Sequence, residues 1–392
     1  MWTTYRAQLK ITWLRLPAAV RWGVSLFLLA RGVLWIWGWL VVTFIPYAPP
    51  TQLFDGPMPA AVEPLILPWL RHDALWFTRI AMEGYAIPDG RGTKAPLYPL
   101  LIQWGGAGLN GQYSVAAFII ANVCCLLSLI VLYEMAQREF QVGRRTLFAL
   151  ALYPYAFYLC VPYSESLQLL LTLAAFWNAR AHRWWLAGGC GALAVLTKVT
   201  ALAMLPALAL EVWQARQQQP LRNGAWLLLL PLAAGGWIVV RQLTLNAADL
   251  TLGAAVLSPD FQAGWNADIA WPWQGLMSAV LAPIRLWPGS YTTMAMINLL
   301  VVGLLLYLTA LTLKLSRSSW GVYAVTMFVI NLMLLAPLVP LLDMPRRMLP
   351  AFPLFIAAAR YWPVRGRRLI LIGALVFELS LSALFVKWVF IG

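Results

Sequence analysis

Residues Trp184–Leu210 read WWLAGGCGALAVLTKVTALAMLPALAL. The run exceeds the ~20 residues a membrane-spanning helix needs, yet it carries one charge near its middle, Lys198. Its reading decides the topology of everything that follows. As a single span it places Arg216 and Arg222 outside and inverts every later loop. The Arg360, Arg365, Arg367 and Arg368 cluster would then lie outside too, against the excess of Lys and Arg that marks cytoplasmic loops. As two short helices meeting near Lys198, the run returns all these loops to the inside. We prefer this reading, which puts Lys198 at the outer face. Broken backbone at that depth is tolerated only where it is buried in protein or lines a water-filled cavity.

Composition supports the membrane setting. The 392-residue chain is 62% hydrophobic and 11% charged, with a net charge of +14. Soluble domains hold about 45–50% apolar and about 25% charged residues, so that class is excluded. Disorder is excluded because it needs low hydrophobicity. The expected fold is an all-α polytopic membrane protein with about ten or eleven membrane segments. The 22 Trp recur near the ends of apolar runs, where indole rings favour the interface.

Arg6, Lys10, Arg15 and Arg21 precede an apolar run from Gly23 to Ile45 that is too long for a signal-peptide core. It reads as a retained first span with a cytoplasmic N terminus, and Arg31 within it is expected to snorkel toward the basic end. Ala95–Leu109 is too short to cross. Tyr113–Ala136, Thr146–Cys160, Tyr163–Ala179, Ala225–Leu243, Ser290–Leu313, Trp320–Leu342, Met348–Ala359 and Leu369–Phe390 are the other apolar runs. The chain is taken as one domain, 1–392, with external loops at 46–112 and 244–289. On this topology the basic surplus falls on inside loops and the outer side balances, so the charge orients the chain and is no sign of nucleic acid. Cys124, Cys125, Cys160 and Cys190 lie in apolar stretches without paired spacing and read as small buried hydrophobes.

The chemistry is sought in the first loop. Between Pro68, which suits a helix start, and Gly84, which suits a stop, Phe77, Ile80, Ala81 and Gly84 recur at helical spacing. The helix is amphipathic, too short to cross, and expected to lie along the membrane surface. Asp73 lies in its early turns above Trp76, Phe77 and Ile80, so a carboxylate tops the apolar face. The plain alternative is an exposed Asp stabilising a helix N terminus.

His72-Asp73-Ala74, followed by Arg79-Ile80-Ala81 and Glu83-Gly84-Tyr85, resembles the first-loop motif of PIG-V-type GPI mannosyltransferases and their prokaryotic relatives. That motif runs Trp-Asp-Ala/Ser, then Ile-Ala and Gly-Tyr; His72 replaces the usual Trp. The similarity continues in order. Ala95-Pro96-Leu97-Tyr98-Pro99-Leu100-Leu101 is similar to Phe-Phe-Pro-Leu-Tyr-Pro-Leu-Leu. Tyr153-Pro154 and Pro162-Tyr163-Ser164-Glu165-Ser166-Leu167 resemble Phe-Pro and Pro-Tyr-Ser-Glu-Ser-Leu. Leu196-Thr197-Lys198-Val199-Thr200 resembles Leu-Thr-Arg-Pro-Thr, with Lys for Arg and Val for Pro. Pro345-Arg346 and Pro350-Ala351-Phe352-Pro353-Leu354 resemble Pro-Arg and Pro-Ala-Phe-Pro-Leu.

The resemblance implies a GT-C glycosyltransferase bundle that takes a sugar from a polyprenyl phosphate on the outer side, with Asp73 in catalysis. Inverting transfer needs a carboxylate to take the acceptor proton and cations where the leaving phosphate gains charge. Lys198, Arg346 and Arg347 are the candidate phosphate ligands. Their plain alternatives are snorkelling or pairing with Glu165 for Lys198, and interfacial anchoring for the arginines. His72, Glu165, Tyr163 and Tyr98 are candidates for holding the acceptor. Glu165 could equally cap a helix start, His72 could face solvent, and Tyr98 could pack the loop.

No cofactor and no metal are expected. The expected partners are a polyprenyl-phosphate sugar, a lipid or glycan acceptor and membrane lipids, and a monomer is favoured. A membrane transporter or lipid-binding protein is the competing class, since intramembrane charges and broken helices occur there too. The paired repeats usual in transporters are not evident in this sequence. An inactive structural subunit is the third class.

Overall fold

The computed structural model describes residues 16–45, 59–85, 91–244, 268–289, 291–335, 339–361, 367–389 and 391. It is a helical bundle. Among the described residues five helices are long and apolar enough to cross a membrane: Ala18–Phe44, Tyr113–Phe140, Leu221–Arg241, Thr292–Thr312 and Leu369–Val386. The first shows why a bilayer is needed. One face buries Leu26, Leu34, Gly38 and Val41, while the other exposes Leu28, Leu29, Ile36 and Trp39. An exposed apolar stripe of this length would be a liability in water and is the expected surface in hydrocarbon.

Tyr113–Phe140 is the central post. It packs against Ala18–Phe44, Leu97–Gly108, Gly143–Ala151 and Glu165–Arg180. Packing then passes from Glu165–Arg180 to Trp184–Thr197 and on to Leu229–Thr244. The C-terminal helix, Arg367–Val386, returns to the first helix and joins the two ends of the chain. An antiparallel bridge pairs Asp268 with Leu335 and Ile269 with Leu334, tying the second loop to the end of Ser318–Leu332.

The stretch that decides the topology is broken where its charge sits. Trp184–Thr197 is helical, Lys198 is extended (φ −161°, ψ 123°), Val199–Ala203 is a 3-10 turn, and Met204–Gln214 is helical again. Other runs are shorter than the sequence implies. Thr146–Cys160 resolves into the helix Gly143–Ala151 and the turn Ala156–Leu159. Of Met348–Ala359 only the part from Pro353 onward is helical, within Pro353–Tyr361. A nine-residue helix is about 14 Å long and does not cross alone. The second loop includes the helix Pro272–Arg285, while Asp249 and Asp260 lie outside the described residues.

Arg31 does not snorkel. It is buried and donates to the Cys160 carbonyl and the Asn122 side chain, with its guanidinium 5.2 Å from the Phe118 ring. A charge at membrane depth costs at least about 2.5–3.5 kcal/mol, so it binds protein oxygen where water is absent. Those bonds anchor the segment that leads into Pro162-Tyr163-Ser164-Glu165 to the first helix.

The first loop is seated by a close approach. A Cβ on Gly38 would come within 2.9 Å of Cζ2 of Trp69, a fully buried ring, whereas one on Gly32 meets nothing within 4 Å. Gly38→Val is therefore expected to cost about 1–3 kcal/mol through overpacking, and Gly32→Val to cost much less. Thermal unfolding of the two variants in the same detergent checks this.

Candidate active site

Asp73 opens the helix Asp73–Glu83, later than the Pro68 start expected, because a 3-10 turn at Leu67–Trp69 comes first. Gly84, at φ 75°, ends the helix as expected. His72 before it has φ 49°, a region few side chains enter. Tyr163 spans this strained residue. Its hydroxyl donates to the Arg71 carbonyl (3.0 Å) and accepts from the Asp73 amide (3.1 Å). Arg71 holds the other side, donating to the carbonyls of Leu67, Leu70 and Val386 and stacking 4.9 Å from the Trp388 ring. The Asp73 carboxylate is thus aimed by the Pro162-Tyr163 turn and by the C-terminal helix together.

Arg346 meets it. The short helix Met344–Arg347 is held by the Tyr153 hydroxyl, which donates to the Pro345 carbonyl at 2.8 Å. From it the Arg346 guanidinium reaches Asp73 Oδ2 at 2.9 Å, Glu165 Oε1 at 3.3 Å and Asp343 Oδ1 at 3.6 Å. The Tyr158 and Tyr163 rings each lie 5.3 Å from its carbon, a cation–π setting. Each of the first two carboxylates also has its own lysine. Lys94 Nζ is 2.8 Å from Asp73 Oδ1, and Lys198 Nζ is 2.8 Å from Glu165 Oε1. Arg347 pairs with Asp343 at 2.6 Å. The chain of contacts runs Lys94, Asp73, Arg346, Glu165, Lys198, with Asp343 and Arg347 as a side branch.

Burial grades this chain. The side chains of Glu165 and Arg346 are 2% and 5% exposed, those of Asp73 and Lys94 16% and 22%. Glu165 and Arg346 are therefore the buried centre, and both lysine ends are more open, Lys198 being 20% exposed. Burial by itself would raise the Asp73 carboxyl, but Lys94 and Arg346 outweigh it and hold the group well below the usual carboxylate range. Burial would likewise raise Asp343, and Arg347 and Arg346 pull it down. Both Asp73 oxygens carry a cation, whereas Glu165 Oε2 is buried without a hydrogen-bond partner.

The structure brings together Asp73, Glu165, Lys198, Arg346 and Tyr163, and joins Arg347 through Asp343. It does not bring in Tyr98 or His72 as acceptor contacts. Tyr98 is fully buried behind the helix, its hydroxyl donating to the Ala117 carbonyl and its ring 5.0 Å from Phe77, so it packs the loop. His72 turns to Phe385 and Trp388, at 5.6 and 5.4 Å. Lys94, Asp343 and Tyr158 were not legible as site residues; only their nearness to Ala95-Pro96, Pro345-Arg346 and the Tyr163 turn marks them. Among the described residues no three His, Cys, Asp or Glu gather as metal ligands would.

No protein-family model matches the chain, and no curated protein matches it. Among solved structures it is similar to ArnT from Cupriavidus metallidurans bound to undecaprenyl phosphate, with a TM-score of 0.50 and 15% identity. The chain shares the fold of that protein. The match covers 89% of this chain and 62% of ArnT, so the chain spans less than two thirds of that protein's length. At that identity the likeness to ArnT carries the architecture, and the chemistry rests on the residues above.

Burial pushes the His72 imidazole from 6.5 down to about 4, against the opposing pull of Asp73. Between those values the unfolded chain binds a proton that the native one does not, so stability falls as pH falls through the window. The unfolding midpoint in detergent is expected to drop from pH 6.5 toward pH 4, and His72→Phe, which keeps the aromatic packing, is expected to flatten that slope.

Proposed function

We propose that the chain is an integral-membrane glycosyltransferase that takes a sugar from a polyprenyl-phosphate donor and passes it, with inversion, to a lipid or glycan acceptor outside the cytoplasm. The sugar is mannose by the first-loop resemblance, and the donor is polyprenyl-phosphate-mannose. The N terminus is cytoplasmic, the chain is one domain with the site at its outer end, and transfer is metal-independent.

One observation carries this reading: a single buried guanidinium joins two carboxylates, each with its own lysine, where four separate parts of the chain meet. Acid and cations within one contact chain are what single-displacement transfer from a phosphate requires. The acceptor hydroxyl attacks the anomeric carbon, its proton goes to Asp73, and the electron pair of the breaking C–O bond goes to the phosphate. Lys94, Lys198 and Arg346 offset the charge that develops there, in a setting where fixed charges act strongly because little water competes. Glu165, less exposed than Asp73, holds Arg346 and Lys198 in register and offers its unpartnered oxygen to an acceptor hydroxyl. The GT-C fold, shared with a protein solved with undecaprenyl phosphate bound, supports the lipid-phosphate donor.

Purified full-length protein given polyprenyl-phosphate-mannose is expected to release or transfer mannose. Asp73→Asn, with an unchanged elution profile, is expected to slow that by about 10²- to 10⁴-fold, the usual worth of a general base. Full activity in that variant would remove Asp73 from the mechanism. Lipid flux across vesicles without any sugar transfer would favour the transporter class.

A further inference from the structure

Among the described residues, the ion pairs around Arg346 join four cations, Lys94, Lys198, Arg346 and Arg347, to three carboxylates, Asp73, Glu165 and Asp343, a surplus of one positive charge in that set. A sugar-bearing polyprenyl phosphate is a phosphodiester with one negative charge, which this surplus neutralises. The product, a polyprenyl monophosphate, has a second pKa of about 6 and is a dianion at neutral pH and above. The cluster matches a dianion only if one of its carboxylates is protonated.

Geometry selects which one. Asp73 is the least covered of the three carboxylates, at 16% against 14% for Asp343 and 2% for Glu165, and its two oxygens are held by Lys94 and Arg346. A phosphate entering there competes with Asp73 for those two cations. An oxygen of Asp73 must lose its cation before it can accept a proton, and the phosphate is the group that can take that cation over. Glu165 lies deeper, with Lys198 on the oxygen it shares with Arg346.

Resting on the transferase reading above, we propose that Asp73 keeps the acceptor's proton for as long as the product phosphate stays bound, so that the site binds a polyprenyl monophosphate with uptake of one proton and a phosphodiester with none. The balance is closed at each stage. The acceptor O–H proton moves to Asp73, the acceptor oxygen–carbon bond forms, and the carbon–oxygen bond to phosphate breaks with its electron pair on the phosphate. The proton leaves when the lipid phosphate leaves and Lys94 and Arg346 return to the carboxylate.

The groups facing Asp73 all bear on this exchange. Lys94 follows the Asp73–Glu83 helix. Arg346, Arg347 and Asp343 come from the short helix and the turn before it, and Lys198 and Glu165 from the core. The Tyr163 hydroxyl meets the Asp73 amide, while Arg71 and His72 precede it in the chain, with Arg71 bonded to backbone carbonyls. Lys94 and Arg346 are the two that touch the carboxylate, so displacing either shifts Asp73 toward the protonated form.

The test uses the full chain in detergent with farnesyl monophosphate and its methyl diester. Calorimetric titration at pH 8 in two buffers of different ionisation enthalpy counts the protons. About one is expected on binding the monoester and none for the diester, and the monoester Kd should rise about tenfold per pH unit from pH 7 to 9 while the diester Kd stays level. The phosphorus NMR shift of bound monoester should be that of a dianion. Asp73→Asn should bind the monoester with no uptake and no pH dependence. Monoester binding without proton uptake, uptake retained in Asp73→Asn, or a bound monoanion would each overturn the proposal. Failure of both lipids to bind would overturn the lipid-phosphate reading of the site itself.

Discussion

The structure turns on one guanidinium. Arg346 sits 2.9 Å from the carboxylate of Asp73 and 3.3 Å from that of Glu165, so it joins residues far apart in the chain that have no other direct bond to one another. Buried ion pairs seldom repay their desolvation, and breaking one by removing a single partner leaves a charge stranded. The arrangement holds because it is a network. Lys94 takes the second oxygen of Asp73, Lys198 shares with Arg346 one oxygen of Glu165, two tyrosine rings flank the cation, and Tyr153 pins the peptide that carries it. Such a cluster is a poor choice for stability alone and a good one for fixing charges before a charged substrate arrives, since preorganised dipoles and ions need not reorient at reaction.

The broken helix serves the same end. Lys198 reaches Glu165 because the backbone leaves the helix at Thr197 and is extended for one residue before the 3-10 turn. A continuous helix would direct that position according to its 3.6-residue repeat; here the Lys198 amide still donates to the Ala194 carbonyl, and the backbone turns away only after it. The backbone groups exposed at the break are tolerable only inside protein or at a wet surface.

Much of this was legible in the sequence, and the pattern of what was not has a physical reason. The break at Lys198 followed from charge bookkeeping on later loops, a constraint that acts over the whole chain. Asp73, Glu165 and Arg346 lie in runs dense with Pro, Gly and aromatic residues, where local composition signals an element boundary. Lys94 and Asp343 stand beside such runs, but nothing local tells a site charge from a loop charge, because Lys94 gains its role only through Asp73, 21 residues away. Arg31 was misjudged for the same reason: its alternative to snorkelling is the Cys160 carbonyl, which only the packed bundle supplies. Tyr98 was placed in the site by its motif, but a motif position constrains the backbone and leaves the direction of the side chain to packing against Phe77 and Ala117.

One helix also links chemistry to orientation. Glu165–Arg180 begins at the cluster around Arg346 and ends, about 22 Å away, at a second ionic cluster. There Arg180 bonds Glu139 and lies near Glu211, Arg317 pairs with Glu139, and the Ser319 hydroxyl donates to Glu211. The loop charges read Arg180, Glu139, Glu211 and Arg317 as cytoplasmic, and Asp73, Glu165, Lys198 and Arg346 as lying on the other side. The two groups fall in separate clusters at opposite ends of one helix. The Glu139–Glu211 cluster has exposed arginines beside it, Arg138 and Arg183, the kind of surplus that marks cytoplasmic loops. At the other end the cations are closely paired with acids, which leaves a surplus small enough for one phosphate to neutralise. The unequal distribution of charge between the two ends therefore supports both the proposed sidedness and the proposed substrate.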